Sequence, residues 1–250
     1  MRTAFLLFIL FLTSAVCAQI KTPTEPVVKT PFAESLQAIL VTTADAGAVR
    51  GKAQRFERQK ANSDWKAVGE EFQVVVGKRG IAWSRDSAPE DATTFKKEGD
   101  GKAPAGMFPL ISAFGADAKP DALRLPYTEI KDFTECVDDP NSSHYNTIVD
   151  RMQVGIFDWA SSEKMIEIGS PYDLGIFVAY NTYPVKAGEG SCIFLHIWND
   201  AATGTAGCTA MARENLETIF DWIDPAKNPY LVQMTEADHK KYRKAWKLPK

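Results

Sequence analysis

Apolar residues in this chain recur in short runs closed by Gly or Pro, and the spacing of an amphipathic helix is convincing over one segment only. Residues 36–43, 51–57 and 72–76 read as strands, and residues 81–84 follow the turn Gly77-Lys78-Arg79-Gly80 to form a hairpin with the last of these. Residues 153–157, 175–180, 192–198 and 230–234 are further strand candidates. Over residues 213–223, Leu216, Ile219, Phe220 and Ile223 share one helical face, and Asp224-Pro225 ends the helix. The basic stretch 239–250 reads as a short surface helix with solvated charges. There is no internal repeat. This pattern predicts a mainly β single domain with a few helices.

The N-terminus is of a different kind. Arg2 precedes an apolar stretch over residues 4–12, and Val16-Cys17-Ala18 places small residues for a signal-peptidase cut before Gln19. Residues 1–18 therefore read as a signal peptide, too short for a span of about 20 residues. Residues 19–33 carry Pro23, Pro26 and Pro31 without periodicity and read as a flexible arm, leaving 34–250 for the domain. The expected product is exported to the periplasm or cell envelope, with no integral membrane span once the leader is removed. A hydrophobic content of 45% against 24% charged residues suits a globular chain. A net charge of −3 and a pI near 5.7 give no footprint for nucleic acid.

Cys17 leaves with the leader, so Cys136, Cys192 and Cys208 remain in an oxidising compartment. An odd count means either one bridge and one free thiol or three free thiols; Cys136 and Cys192 form the candidate bridge. His144, His196 and His239 are widely scattered and there is no Cys-x-x-Cys, so neither a metal site nor a cofactor is expected.

Residues 191–211, SCIFLHIWNDAATGTAGCTAM, hold the densest chemistry. Alternation puts His196 on one strand face with Cys192, Phe194 and Trp198. A glycine-bearing loop then leads through Thr205-Ala206-Gly207 to Cys208. Small residues before a Cys allow a tight turn whose amides converge on a developing oxyanion, and a nearby helix N-terminus would favour thiolate over thiol. Cys208 and His196 read as nucleophile and general base. The plainer alternative is a core histidine and a buried small thiol.

The same stretch resembles the active-site signature of the L,D-transpeptidase (YkuD) family, in which a His, a loop and a Gly-Cys followed by an apolar residue recur. Gly99-Asp100-Gly101-Lys102-Ala103-Pro104-Ala105-Gly106-Met107-Phe108 resembles the family's Gly-rich turn and strand start. Residues 175–181 resemble the strand beneath its active site. The resemblance implies a β-sandwich-like fold acting on peptidoglycan stem peptides. Cys208 would attack an L-centre carbonyl, His196 would move the proton, and the amides of Gly207 and Cys208 would steady the oxyanion. The chain departs from the pattern at Ile197, Ala206 and Ala210, and its interval from His196 to Cys208 is shorter than the commoner one. A peptide hydrolase on the same scaffold, or a catalytically silent wall-binding domain, are the alternatives. His144, Tyr180, Asn181 and Arg213 are candidates for lining the substrate cleft.

Overall fold

The computed structural model describes residues 32–250, so the expected leader and most of the expected arm lie outside the described residues. Phe32 already belongs to the folded body. Its ring stacks on Trp65 at 5.8 Å and meets Tyr230 edge-on at 5.4 Å.

The chain is mostly β, as its pattern predicts. Strands β1 (Gln37–Thr43), β2 (Arg50–Glu57), β3 (Lys66–Val75) and β4 (Ile81–Trp83) come first, followed by the long β5 (Ala103–Gly115) and β6 (Tyr127–Glu129). A small antiparallel sheet follows, with β7 (Thr134–Val137) between β8 (Ile148–Asp150) and β9 (Ser162–Lys164). After the short helix α1 (Met165–Ile168) come β10 (Leu174–Val178), β11 (Phe194–Ile197) and β12 (Thr209–Met211). The chain continues through α2 (Arg213–Trp222), β13 (Tyr230–Thr235) and α3 (Glu236–Tyr242).

The large sheet runs β10-β11-β12-β3-β2-β1-β13-β5-β4, and β10 pairs with β5 as well as with β11. The sheet therefore curls until its two ends meet, which removes most open edges. Inside it, Ile39, Val41, Ile176, Leu195 and Leu231 pack with Leu216, Ile219, Phe220 and Ile223 on and just beyond α2, the helical face read from the sequence. A second core lies between the outer face of β10 and β11 and the small sheet: Phe114, Cys136, Met165, Tyr172, Phe177, Phe194 and Cys208. A third, around Ala38, Leu40, Phe56, Val232 and Met234, is closed by Leu248, Trp65 and Trp246.

Several expectations need correction. The Gly77–Gly80 turn does not join a hairpin; β4 runs parallel to β5, while β3 pairs with β2 and β12. Residues 153–157 form no strand, and Ile156 and Phe157 stand 72% and 56% exposed in a loop, so their apolar run has no sheet to join. The C-terminal stretch is not simply solvated. His239 bonds the Pro249 carbonyl at 2.8 Å, and the Trp65 indole donates to the Lys247 carbonyl at 3.0 Å.

Cys136 and Cys192 are bridged. The bridge ties β7 of the small sheet to the segment entering β11, across a separation of 56 residues. By loop entropy such a closure contributes about 4 kcal/mol to stability. Alkylating the unfolded chain that starts at Gln19 should give one label without reduction and three after it. Three labels in both conditions would contradict the bridge.

Candidate active site

The parallel pairing of β11 with β12 places the two candidate residues. Leu195 lies opposite Thr209 and His196 opposite Ala210, so Cys208, which precedes β12, falls on the same face as Phe194 and His196. The inward residues Leu195 and Ile197 anchor that strand in the main core. On the other side of β11, His196 faces Gly175 of β10. A Cβ on Gly175 would come within 2.1 Å of the Phe114 ring, so glycine lets that ring pack under the histidine strand. A cavity of about 270 Å³ opens here, lined among others by Cys208, His196, Tyr172, Glu163, Trp198 and Thr205.

The Cys208 sulfur is held by backbone. Phe194 N–H donates to Sγ at 3.2 Å, and the thiol points at the Cys192 carbonyl at 3.4 Å. Cys192 adopts φ 53° to present that carbonyl. Burial pushes the thiol well above its ordinary pKa; the Glu163 carboxylate adds to the rise, and the Phe194 amide and Lys96 oppose it. This corrects the expected thiolate. Cys208 leads into a strand, and α2 begins only at Arg213, so no helix N-terminus reaches the sulfur.

His196 is buried too. Its Nδ1 lies 2.8 Å from the Ile197 carbonyl, which only accepts; Nδ1 therefore carries the proton and Nε2 keeps a lone pair. Burial lowers its pKa to about 4, with the Ile197 bond working against the shift. The resting pair is thus neutral thiol and neutral imidazole. Thr205 organises the turn: its Oγ1 donates to the Cys208 carbonyl at 2.7 Å and accepts from the Gly207 amide at 3.1 Å. A Cβ on Gly207 would sit 3.2 Å from the Lys102 carbonyl, so the turn is tight against its neighbour. Ala206 and Ala210 line the cavity without adding polar groups.

The remaining candidates do not line this cavity. His144 packs edge-on against Trp159 at 5.4 Å. Tyr180 is buried against Phe108 and donates to the Glu189 carbonyl. Asn181 ties down its own loop, donating to the Lys186 and Gly190 carbonyls at 2.9 Å each. Arg213 pairs with Asp173 at the surface. Each is committed to local scaffold. The cavity instead contains Tyr172 and Glu163, which stood out neither by motif nor by proximity to Cys208 in the chain. The Tyr172 hydroxyl donates to Glu163 Oε2 at 2.6 Å, and its ring meets His196 edge-on at 5.4 Å.

The sequence profile of the L,D-transpeptidase catalytic domain (YkuD) matches residues 52–233, which include the whole of this site. The chain belongs to the L,D-transpeptidase family. No curated protein matches it. Among solved structures it is similar to the helical cell shape determining protein Pgp2 from Campylobacter jejuni, with 14% identity and a TM-score of 0.41 over 81% of this chain. That alignment spans 48% of the Pgp2 chain. Among the described residues no helix is long and apolar enough to cross a membrane.

In this L,D-transpeptidase family member the thiol should resist reagents at rest. Iodoacetamide labelling of Cys208 at pH 7 should be at least about a hundredfold slower than that of an exposed cysteine, and still climbing at pH 10. An ordinary thiol, near pKa 8.5, has levelled off by then. A plateau below pH 8 would contradict the burial argument.

Proposed function

We propose that this chain is an exported, cysteine-dependent L,D-transpeptidase acting on peptidoglycan stem peptides through a thioester on Cys208. The observation that carries the reading is the shared cavity, into which Cys208 and a singly protonated His196 both open. The leader read in residues 1–18 and the Cys136–Cys192 bridge favour an oxidising, extracytoplasmic setting.

Charge separation is costly in this buried site, so the thiolate–imidazolium pair forms during attack rather than before it. As the Cys208 sulfur bonds to the carbonyl carbon of the L-centre, its proton passes to His196 Nε2. The Ile197 carbonyl on Nδ1 steadies the imidazolium. The carbonyl oxygen becomes an oxyanion facing the amides of the Thr205–Cys208 turn; Thr205 Oγ1 must release the Gly207 amide for it to donate there. When the C–N bond breaks, His196 returns the proton to the leaving amine and the thioester remains. An acceptor amine then resolves it, forming a new peptide bond and restoring the thiol. Water in the same role would give a hydrolase, a reading favoured by the bare methyl groups of Ala206 and Ala210.

Incubating a tetrapeptide muropeptide with the protein and an added D-amino acid tests this by mass spectrometry. Exchange of the terminal residue or dimer formation is expected; tripeptide alone would indicate hydrolysis. Cys208→Ala should abolish both products while leaving the melting temperature within a few degrees. Full turnover in that variant would overturn the cysteine mechanism. Thr205→Val, which loses both turn hydrogen bonds, should slow turnover about tenfold, the equivalent of one such bond.

A further inference from the structure

Glu163 is a carboxylate in the cavity that the scheme above leaves unused. It sits on β9 opposite Cys136 of β7, and the Cys136–Cys192 bridge carries that strand to the segment whose carbonyl faces the Cys208 thiol. One carboxylate oxygen takes the Tyr172 hydroxyl. Among the described residues Glu163 makes no ion pair; the other charges acting on it are those of Asp138 and Glu98, both negative. Lys96, which acts on Cys208, is itself paired with Asp100 at 2.8 Å. A carboxylate placed beside a nucleophile and unpaired by any cation is suited to receive a positively charged group from the substrate.

Resolution of the thioester requires one. An amine acceptor arrives in neutral water mostly as ammonium and must lose two protons to become an amide nitrogen. His196, with Nδ1 already protonated, can take only one of them. We infer that Glu163 binds the ammonium of the acceptor and takes its first proton, which makes the cavity selective for amines over water. The inference rests on the transferase reading.

The ammonium transfers a proton to the Glu163 carboxylate, giving free amine and carboxylic acid. The amine nitrogen bonds to the thioester carbon and the C–S bond breaks. The second amine proton passes through His196 Nε2 to the departing sulfur. Amide, thiol and neutral imidazole result, and Glu163 loses its proton to solvent through the cavity. Burial raises Glu163 to about 7, with Asp138 and Glu98 adding to the rise and Tyr172 opposing it, so it can both accept and release a proton near neutrality. Water needs one base only, so Glu163 has no proton to take when water resolves the thioester.

The test is the partition of the wild-type thioester between an added D-amino acid and water, compared with Glu163→Gln. The amide oxygen of that variant can still accept from Tyr172. At pH 7 the transfer-to-hydrolysis ratio should fall at least about tenfold. The pH at which transfer overtakes hydrolysis should move from near 7 up toward the acceptor amine's own pKa. An unchanged ratio and pH midpoint, with transfer intact, would overturn this role and leave the transferase reading standing. A wild-type protein that makes no transfer product at any pH would overturn both. If the Gln variant loses both products, Glu163→Asp decides: recovery of transfer ahead of hydrolysis supports the role, and equal recovery overturns it.

Discussion

The site depends on how one sulfur atom is held. The Cys208 thiol lies between the Phe194 amide and the Cys192 carbonyl, and Cys192 is itself fixed by its bridge to Cys136. A single covalent link thereby joins the thiol's cradle to the small sheet. Asn146 reinforces it, accepting from the Cys192 amide at 2.9 Å and donating to the Tyr180 and Asn181 carbonyls. Packing does the rest: Phe114, Tyr172 and Phe194 interlock edge-to-face, with centroids 4.9 to 5.6 Å apart, on the face that carries His196.

Burial then decides the chemistry. It raises the thiol and lowers the imidazole, so neither group is charged at rest. The same burial lifts Glu163 into the range where a carboxyl can exchange protons at neutral pH. Cys208, His196 and Glu163 thus share one cavity with separated proton affinities, a division of labour that allows proton transfers of different kinds in sequence.

The sequence made the strand class, α2, β11 and the common face of Cys208 and His196 legible, because these rest on local alternation, helical spacing and one dense stretch. Long-range pairing was harder to read. The strand β5 is the longest, at 13 residues, yet Pro104, Gly106 and Pro109 interrupt it like a loop. The first half of β3 is largely exposed on both faces, so no alternation of buried residues marks where the strand begins. The Gly77–Gly80 turn resembled a hairpin because a turn does not specify which strands it separates. His144, Tyr180, Asn181 and Arg213 are polar residues whose partners turned out to be local scaffold, and Glu163 and Tyr172 reach the cavity through sheet register and a disulfide. Neither of those connections leaves a short-range trace in the sequence.

The proposed catalysis runs through a covalent bond to Cys208. The most direct measurement is to quench the enzyme in acid during turnover of a tetrapeptide and map the adduct by mass spectrometry. A peptidyl mass on Cys208 is expected, lost as turnover is allowed to complete. Turnover with no adduct on Cys208 under any quench, or with a peptidyl mass on another residue, would contradict it.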